Sequence, residues 1–305
     1  MTSFGPVTGD VIGPVQFKEG AVSFAQGASG ANLIMKKDTT VWYVDSGQSA
    51  SGNGKTPTLA FITLAEAVAA AGDHDTILIM SNDIETIAAA GIDITQEGLR
   101  IIGAASSEAA QNAALKITSG TASMFRILAD RVEIAGIYMS QRTAYPCITI
   151  GSASVGAVYE THIHNCNIDG YAGTATYGIT GYNQTADTVS LVVEDCYFQN
   201  FGTAAIHANG TRDTYRRNTF IVATSTTGIY VKANAGDRQH TCIVDNYFTG
   251  ITDAVGIEFA GTPTAGTLFL MRNYLSGTWG TSITDVTGGV NNYVMDANGG
   301  ALINC

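Results

Sequence analysis

The feature that most constrains this chain is a short pattern that returns at coil-like intervals. An aliphatic residue, two polar ones, Asn or Cys, any residue and a large apolar one recur along the middle of the chain. The copies read Ile163-His-Asn-Cys166-Asn-Ile168, Val193-Glu-Asp-Cys196-Tyr-Phe198, Tyr215-Arg-Arg-Asn218-Thr-Phe220, Ile243-Val-Asp-Asn246-Tyr-Phe248 and Leu270-Met-Arg-Asn273-Tyr-Leu275. A divergent early copy places Gly136 at the Asn position, and a partial last one is Asn292-Tyr-Val294. The steps from Gly136 through Cys166, Cys196, Asn218, Asn246 and Asn273 to Asn292 average 26 residues. One coil of three short strands with turns has that length, whereas helical repeats run longer, about 33–47, and keep a 3.6 periodicity. A second register runs between the copies: Gly178-Ile179, Ala205-Ile206, Gly228-Ile229 and Gly256-Ile257. The expected fold is therefore all-β, a single right-handed parallel β-helix.

In such a stack, equivalent positions lie about 4.8 Å apart. Ile168, Phe198, Phe220, Phe248, Leu275 and Val294 are expected to form one inward column, and Ile163, Val193, Tyr215, Ile243 and Leu270 another. The Asn column is expected to adopt the left-handed turn conformation and to bond along the ladder through its amides. Cys166 and Cys196 fill the same column, read as a thiol pair rather than a disulfide. The residues just before it, Asn165, Asp195, Arg217, Asp245, Arg272 and Asn291, alternate in charge and read as an exposed ion-pair stack,.

A cap is expected ahead of the coils. Thr63-Leu-Ala-Glu66 is a capping box, Leu64, Ala67, Val68 and Ala71 follow helical spacing, and Gly72 suits the helix end. Thr76–Met80 is then expected as the first strand. Val41-Trp-Tyr-Val-Asp45-Ser-Gly, a Gly/Ser/Asn-rich loop, Pro57, Ala60-Phe61-x-Thr63-Leu64 and Asp75-Thr76-Ile77 resemble the opening segment of pectate-lyase-like right-handed β-helix proteins. With the repeats, the resemblance spans about residues 41–300 and concerns fold rather than activity. Many chains of this type are bacteriophage virion proteins. The domain reading is an extended N-terminal arm over 1–40 and a β-helix over 41–305, with a cap segment at about 41–80. The arm is Gly-rich, with apolar patches at Val11-Ile12, Phe17 and Phe24.

Composition narrows the partners. The formal net charge is −11, which disfavours nucleic acid, and no apolar run approaches the roughly 18 residues of a membrane span. The start of the chain lacks the basic and apolar blocks of a secretory signal, so folding in a host cytoplasm is expected. Five cysteines show no zinc spacing and read as reduced thiols,.

The chemistry-bearing candidates all have plain structural readings beside them. Gly52-Asn-Gly54-Lys55-Thr56 resembles the end of a phosphate loop, but Pro57 stands where a helix should begin. His162, His164 and Glu194 share a face and suit either a metal or a solvated polar surface. Glu194, Asp195, Asp213 and Asp245 are the acids available for a glycosidase pair, with no pair distinguished. Tyr197, Tyr247, Tyr274 and Tyr293 form an outward stripe, for sugar stacking or for packing on each other. No catalytic, cofactor or metal site is assigned. The function expected is a non-enzymatic virion component, a trimeric capsid decoration or turret protein on the capsid surface, its arm contacting the major capsid protein or another virion protein. The alternative is a tailspike-like protein that binds or depolymerises a surface glycan.

Overall fold

The computed structural model describes residues 39–80, 84–104, 114–182, 188–208, 210–223, 226–232, 241–260, 268–283 and 293–296. The chain divides into two compact units, Met1–Lys37 and Asp38–Cys305. The expected arm, with Val11, Ile12, Phe17 and Phe24, lies outside the described residues, as do Asn291 and Asn292.

The second unit is a parallel β-helix with three faces. The first face stacks nine strands: Val41–Val44, Thr76–Ile79, Arg100–Gly103, Glu133–Ala135, His162–His164, Val192–Glu194, Thr214–Arg216, Thr241–Val244 and Leu268–Met271. The second face runs from Ile84–Thr86 through Ala114–Ile117, Tyr138–Gln141, Asn167–Asp169, Tyr197–Gln199 and Thr219–Val222 into Tyr247–Ala260. The third stacks Ile92–Ile94, Phe125–Ile127, Ile148–Ile150, Tyr177–Gly181, Ala204–Ala208 and Thr227–Lys232, and joins the second through the long strand Tyr247–Ala260. Every one of these pairings is parallel. The first strand is Val41–Val44, one coil earlier than the sequence reading placed it, and it pairs residue for residue with Thr76–Ile79.

The repeat copies bridge the first and second faces, and their inward columns are buried as expected. Ile163, Val193, Tyr215 and Ile243 align in register, and Ile168, Phe198, Phe220, Phe248 and Leu275 do likewise. Phe220 stacks between Phe198 and Phe248, at ring distances of 5.0 and 4.6 Å. Each such side chain contributes about 1.5–3 kcal/mol by leaving water. The Gly-Ile register forms the inward column of the third face, Ile148, Ile179, Ile206, Ile229 and Ile257. At Gly228 a Cβ would lie 2.6 Å from the Gly256 carbonyl oxygen and 2.7 Å from the Phe248 ring, which accounts for the small residue there.

The turn between the first two faces corrects one expectation. The left-handed residue is the one before the ladder: Asn165, Asp195, Arg217, Asp245 and Arg272 have φ of 52°, 54°, 54°, 57° and 51°. The ladder residue itself turns inward. Asn246 accepts from the Asn218 backbone N–H at 2.9 Å, and its amide donates to the Tyr215 carbonyl at 2.9 Å and to Asn273 at 3.0 Å. Gly136 belongs to the left-handed column, with φ 67°, because Glu133–Ala135 pairs with His162–His164 and sets Gly136 level with Asn165. Ile137, not Gly136, therefore stands level with Cys166. Cys166 and Cys196 are free buried thiols that continue the ladder, with Cys166 N–H 3.5 Å from the Cys196 sulfur.

The helix Leu64–Ala70 carries the expected capping box and buries Leu64, Ala67 and Val68 beside the first two strands. Gly72 has no left-handed φ; its N–H instead donates to Asp75 Oδ2 at 2.8 Å, and the other oxygen of Asp75 receives the Thr40 N–H.

Candidate functional site

On the first face, the side chains of His162, His164 and Glu194 form a charge network rather than an open ligand set. Backbone register pairs His164 with Glu194, but the side chains cross. His162 Nε2 meets Glu194 at 2.8 Å and His164 Nε2 meets Glu133 at 3.1 Å. The Asn165 amide nitrogen, which can only donate, lies 2.9 Å from His164 Nδ1, so Nε2 carries the proton given to Glu133,. Glu194 also receives Arg216 at 2.6 Å and Arg217 at 2.5 Å. The Arg216 bond foremost, with His162 and Arg217 beside it, outweighs burial and holds its carboxyl down to about 2. Among the described residues no group of three or more His, Cys, Asp or Glu side chains is placed to hold a metal ion.

The other acids are committed to structure. Asp195 binds Arg217 at 2.8 Å and Asp245 binds Arg272 at 2.7 Å, the ion-pair stack expected from the sequence. Asp213 is buried and accepts from the Thr188 hydroxyl, the Leu191 N–H and the Tyr215 hydroxyl. In the phosphate-loop look-alike, the Lys55 ammonium lies 3.3 Å from the centre of the Trp42 ring, a cation–π contact,. The tyrosine stripe is interrupted by Thr219, which sits in register between Tyr197 and Tyr247. Tyr247 and Tyr274 stack on each other at 5.2 Å. Tyr293 aligns with Tyr274 in the backbone register.

A different surface, on the third face, has the shape of a binding site. A groove of about 340 Å³ is lined by Thr121, Ala122, Ser123, Arg126, Tyr145, Pro146, Thr149, Tyr177, Thr180, Gly181, Tyr182 and His207. Its floor is the outward column Arg126, Thr149, Thr180, His207, from four successive coils in register. Three coil steps span about 14 Å. Thr149 and Ser123 share a hydroxyl bond of 2.6 Å, and Thr180 lies 3.1 Å from His207 Nδ1. The Thr180 hydroxyl donates to the Gly181 carbonyl at 3.0 Å, so Nδ1–H is the donor of the His207 pair,. Tyr177 stacks on His207 at 5.0 Å. Tyr145 and Tyr182 stand in the rim, 39% and 49% exposed, above the buried residues Ser123, Thr149 and Thr180. The arrangement offers ring faces at the sides and short polar groups below.

The sequence reading passed over these residues. The usable signal was the position after the first two Ile residues of the second register, which gives Thr180 and His207, and Thr149 follows once the register is carried back one coil to Ile148.

No protein-family model matches the chain, and no curated protein does. Among solved structures it resembles the pectin methylesterase of the rice weevil, at 14% identity and a TM-score of 0.52, over 79% of this chain and 81% of that one. It also resembles pectin methylesterase PemA from Erwinia chrysanthemi, at 13% identity and a TM-score of 0.56, over 88% and 92%. The chain therefore has the right-handed parallel β-helix fold of this class, and at such identity the likeness establishes the fold alone. These neighbours correct the expected non-enzymatic capsid decoration or turret role. The neighbours in fold are pectin methylesterases, and the third face carries a ring-rimmed polar groove that the repeat pattern does not disclose.

Proposed function

We propose that this protein is a tailspike-like β-helix that binds a surface glycan along its third face. The observation that carries the reading is the groove: exposed tyrosines rim a hydroxyl-rich floor continuous over four coils. Sugars present apolar C–H faces and a ring of hydroxyls, so they need aromatic planes beside short polar groups, and amphipathic rings of this kind serve that purpose. The fold shared with proteins named for a polysaccharide, pectin, supports a glycan as the ligand. A place on a virion and a three-fold assembly belong to the same proposal.

The test is glycan binding by the purified full chain, read by calorimetry and affinity electrophoresis on a panel of polysaccharides. Tyr182→Ala and Tyr145→Ala are expected to weaken binding at least about ten-fold each, through roughly 1.4 kcal/mol or more of lost stacking contact. Circular dichroism should be unchanged, since both rings are exposed. Binding that survives both substitutions would place the glycan elsewhere. Release of reducing ends or unsaturated products in the same mixtures would add turnover to binding.

A further inference from the structure

Resting on the glycan reading of the groove, we infer that its ligand is a neutral polysaccharide rather than a uronate polymer. Among the described residues that line the groove, Arg126 is the one with a fixed charge. It is matched by Asp93, which occupies the same column one coil earlier. The guanidinium meets both carboxylate oxygens, Nη2 with Oδ2 at 2.7 Å and Nε with Oδ1. The Nε–Nη2 edge of the guanidinium is thus occupied, and its charge matched, by a carboxylate from the chain itself. A sugar carboxylate entering here would have to displace Asp93 or lie beside it.

The remaining groups point the same way. The Nδ1–H of His207 is already given to the Thr180 hydroxyl, and the floor is otherwise hydroxyl and carbonyl. Taking an ionised carboxylate out of water is costly unless a free cation meets it. The far field is adverse too at low salt, because the chain carries a formal net charge of −11, which opposes the approach of a polyanion,. Neutral sugar hydroxyls meet no such penalty and can exchange bonds with Ser123, Thr149 and Thr180.

The experiment uses the full chain with two panels of soluble polysaccharide, one neutral (dextran, galactan, mannan, arabinan) and one acidic (polygalacturonate, alginate, hyaluronan). The expected result is binding in the neutral panel only, weakened at least about ten-fold by Tyr182→Ala. Its affinity should change by less than about two-fold as salt is raised, because no charge pair with the ligand is screened. Asp93→Asn, an exposed substitution that releases the Arg126 fork, is expected to create measurable binding to the acidic panel that salt abolishes. Wild-type binding confined to the acidic panel, sensitive to Tyr182→Ala, would overturn this inference and keep the groove as the glycan site. An absence of Tyr182-dependent binding in both panels would overturn the glycan reading itself.

Discussion

Glu85 is the residue whose chemistry is least matched to its surroundings. It is buried on the second face, and both its oxygens receive the Leu64 backbone N–H, at 2.9 and 3.1 Å, where the cap helix begins. Burial foremost, with the charge of Glu66 adding, overcomes that hydrogen bond and pushes the carboxyl up to about 7. The folded state therefore favours the protonated form. The stabilisation is complete below the ordinary value of 4.5 and is lost as pH rises through 7,. Glu85→Gln keeps an acceptor for Leu64 and removes the ionisation. At pH 8 it should be more stable than the wild type by about 1–3 kcal/mol, and near pH 4.5 the two should converge. Glu194 works in the opposite sense: its carboxyl is held down to about 2, so its contribution is present above 4.5 and falls away on acidification. The variant should thus keep the acid limb and lose the alkaline one. Urea titrations across pH measure both limbs, and an unchanged alkaline limb in Glu85→Gln would remove Glu85 as its source.

At the scale of the coil, what the sequence disclosed and what it hid have one cause. The first two faces are joined by a turn that every coil must make in the same way. The ladder residues Cys166, Cys196, Asn218, Asn246 and Asn273 therefore resemble one another, and a search for likeness finds them. The groove column is Asp93, Arg126, Thr149, Thr180 and His207, five residues of four chemical kinds. A ligand surface is made of differences between coils, so repetition cannot reveal it. The same logic misled the reading of the turn. Asn suggested a left-handed backbone, but the buried amide is needed to satisfy the stacked N–H and C=O groups, and the left-handed position falls to Gly136 and to the polar or charged residues Asn165, Asp195, Arg217, Asp245 and Arg272. L-residues with a Cβ adopt that conformation at a cost of roughly 1–2 kcal/mol, which glycine escapes. Asp245 tests this directly, since Asp245→Ala and Asp245→Gly lose the same Arg272 pair. The glycine variant should be the more stable of the two by about 1 kcal/mol. Equal midpoints in denaturant would mean that the turn carries no conformational strain.

For the whole molecule, the groove and the unit Met1–Lys37 lie in different parts of the chain, and that separation makes their roles separable. The lining residues run from Thr121 to His207, all within the unit Asp38–Cys305. That unit has its own continuous apolar core. Residues 1–37 contain Val11, Ile12, Phe17 and Phe24 in a Gly-rich polar stretch, segments suited to docking on a second copy. If the proposed three-fold assembly is built by this segment, each particle carries three grooves, and a polymeric glycan spanning two of them gains from effective concentration rather than from new contacts. Such linkage raises apparent affinity by about 10²–10⁴. Deleting residues 1–37 should then leave the far-UV circular dichroism and the affinity for a short oligosaccharide unchanged. Sedimentation should shift from trimer to monomer, and apparent affinity for the long polymer should fall by about 10² or more. A truncated chain that still sediments as a trimer would move the assembly surface into the β-helix. A truncated monomer that keeps full affinity for the polymer would show that one groove suffices, and the three-fold arrangement would lose its function in binding.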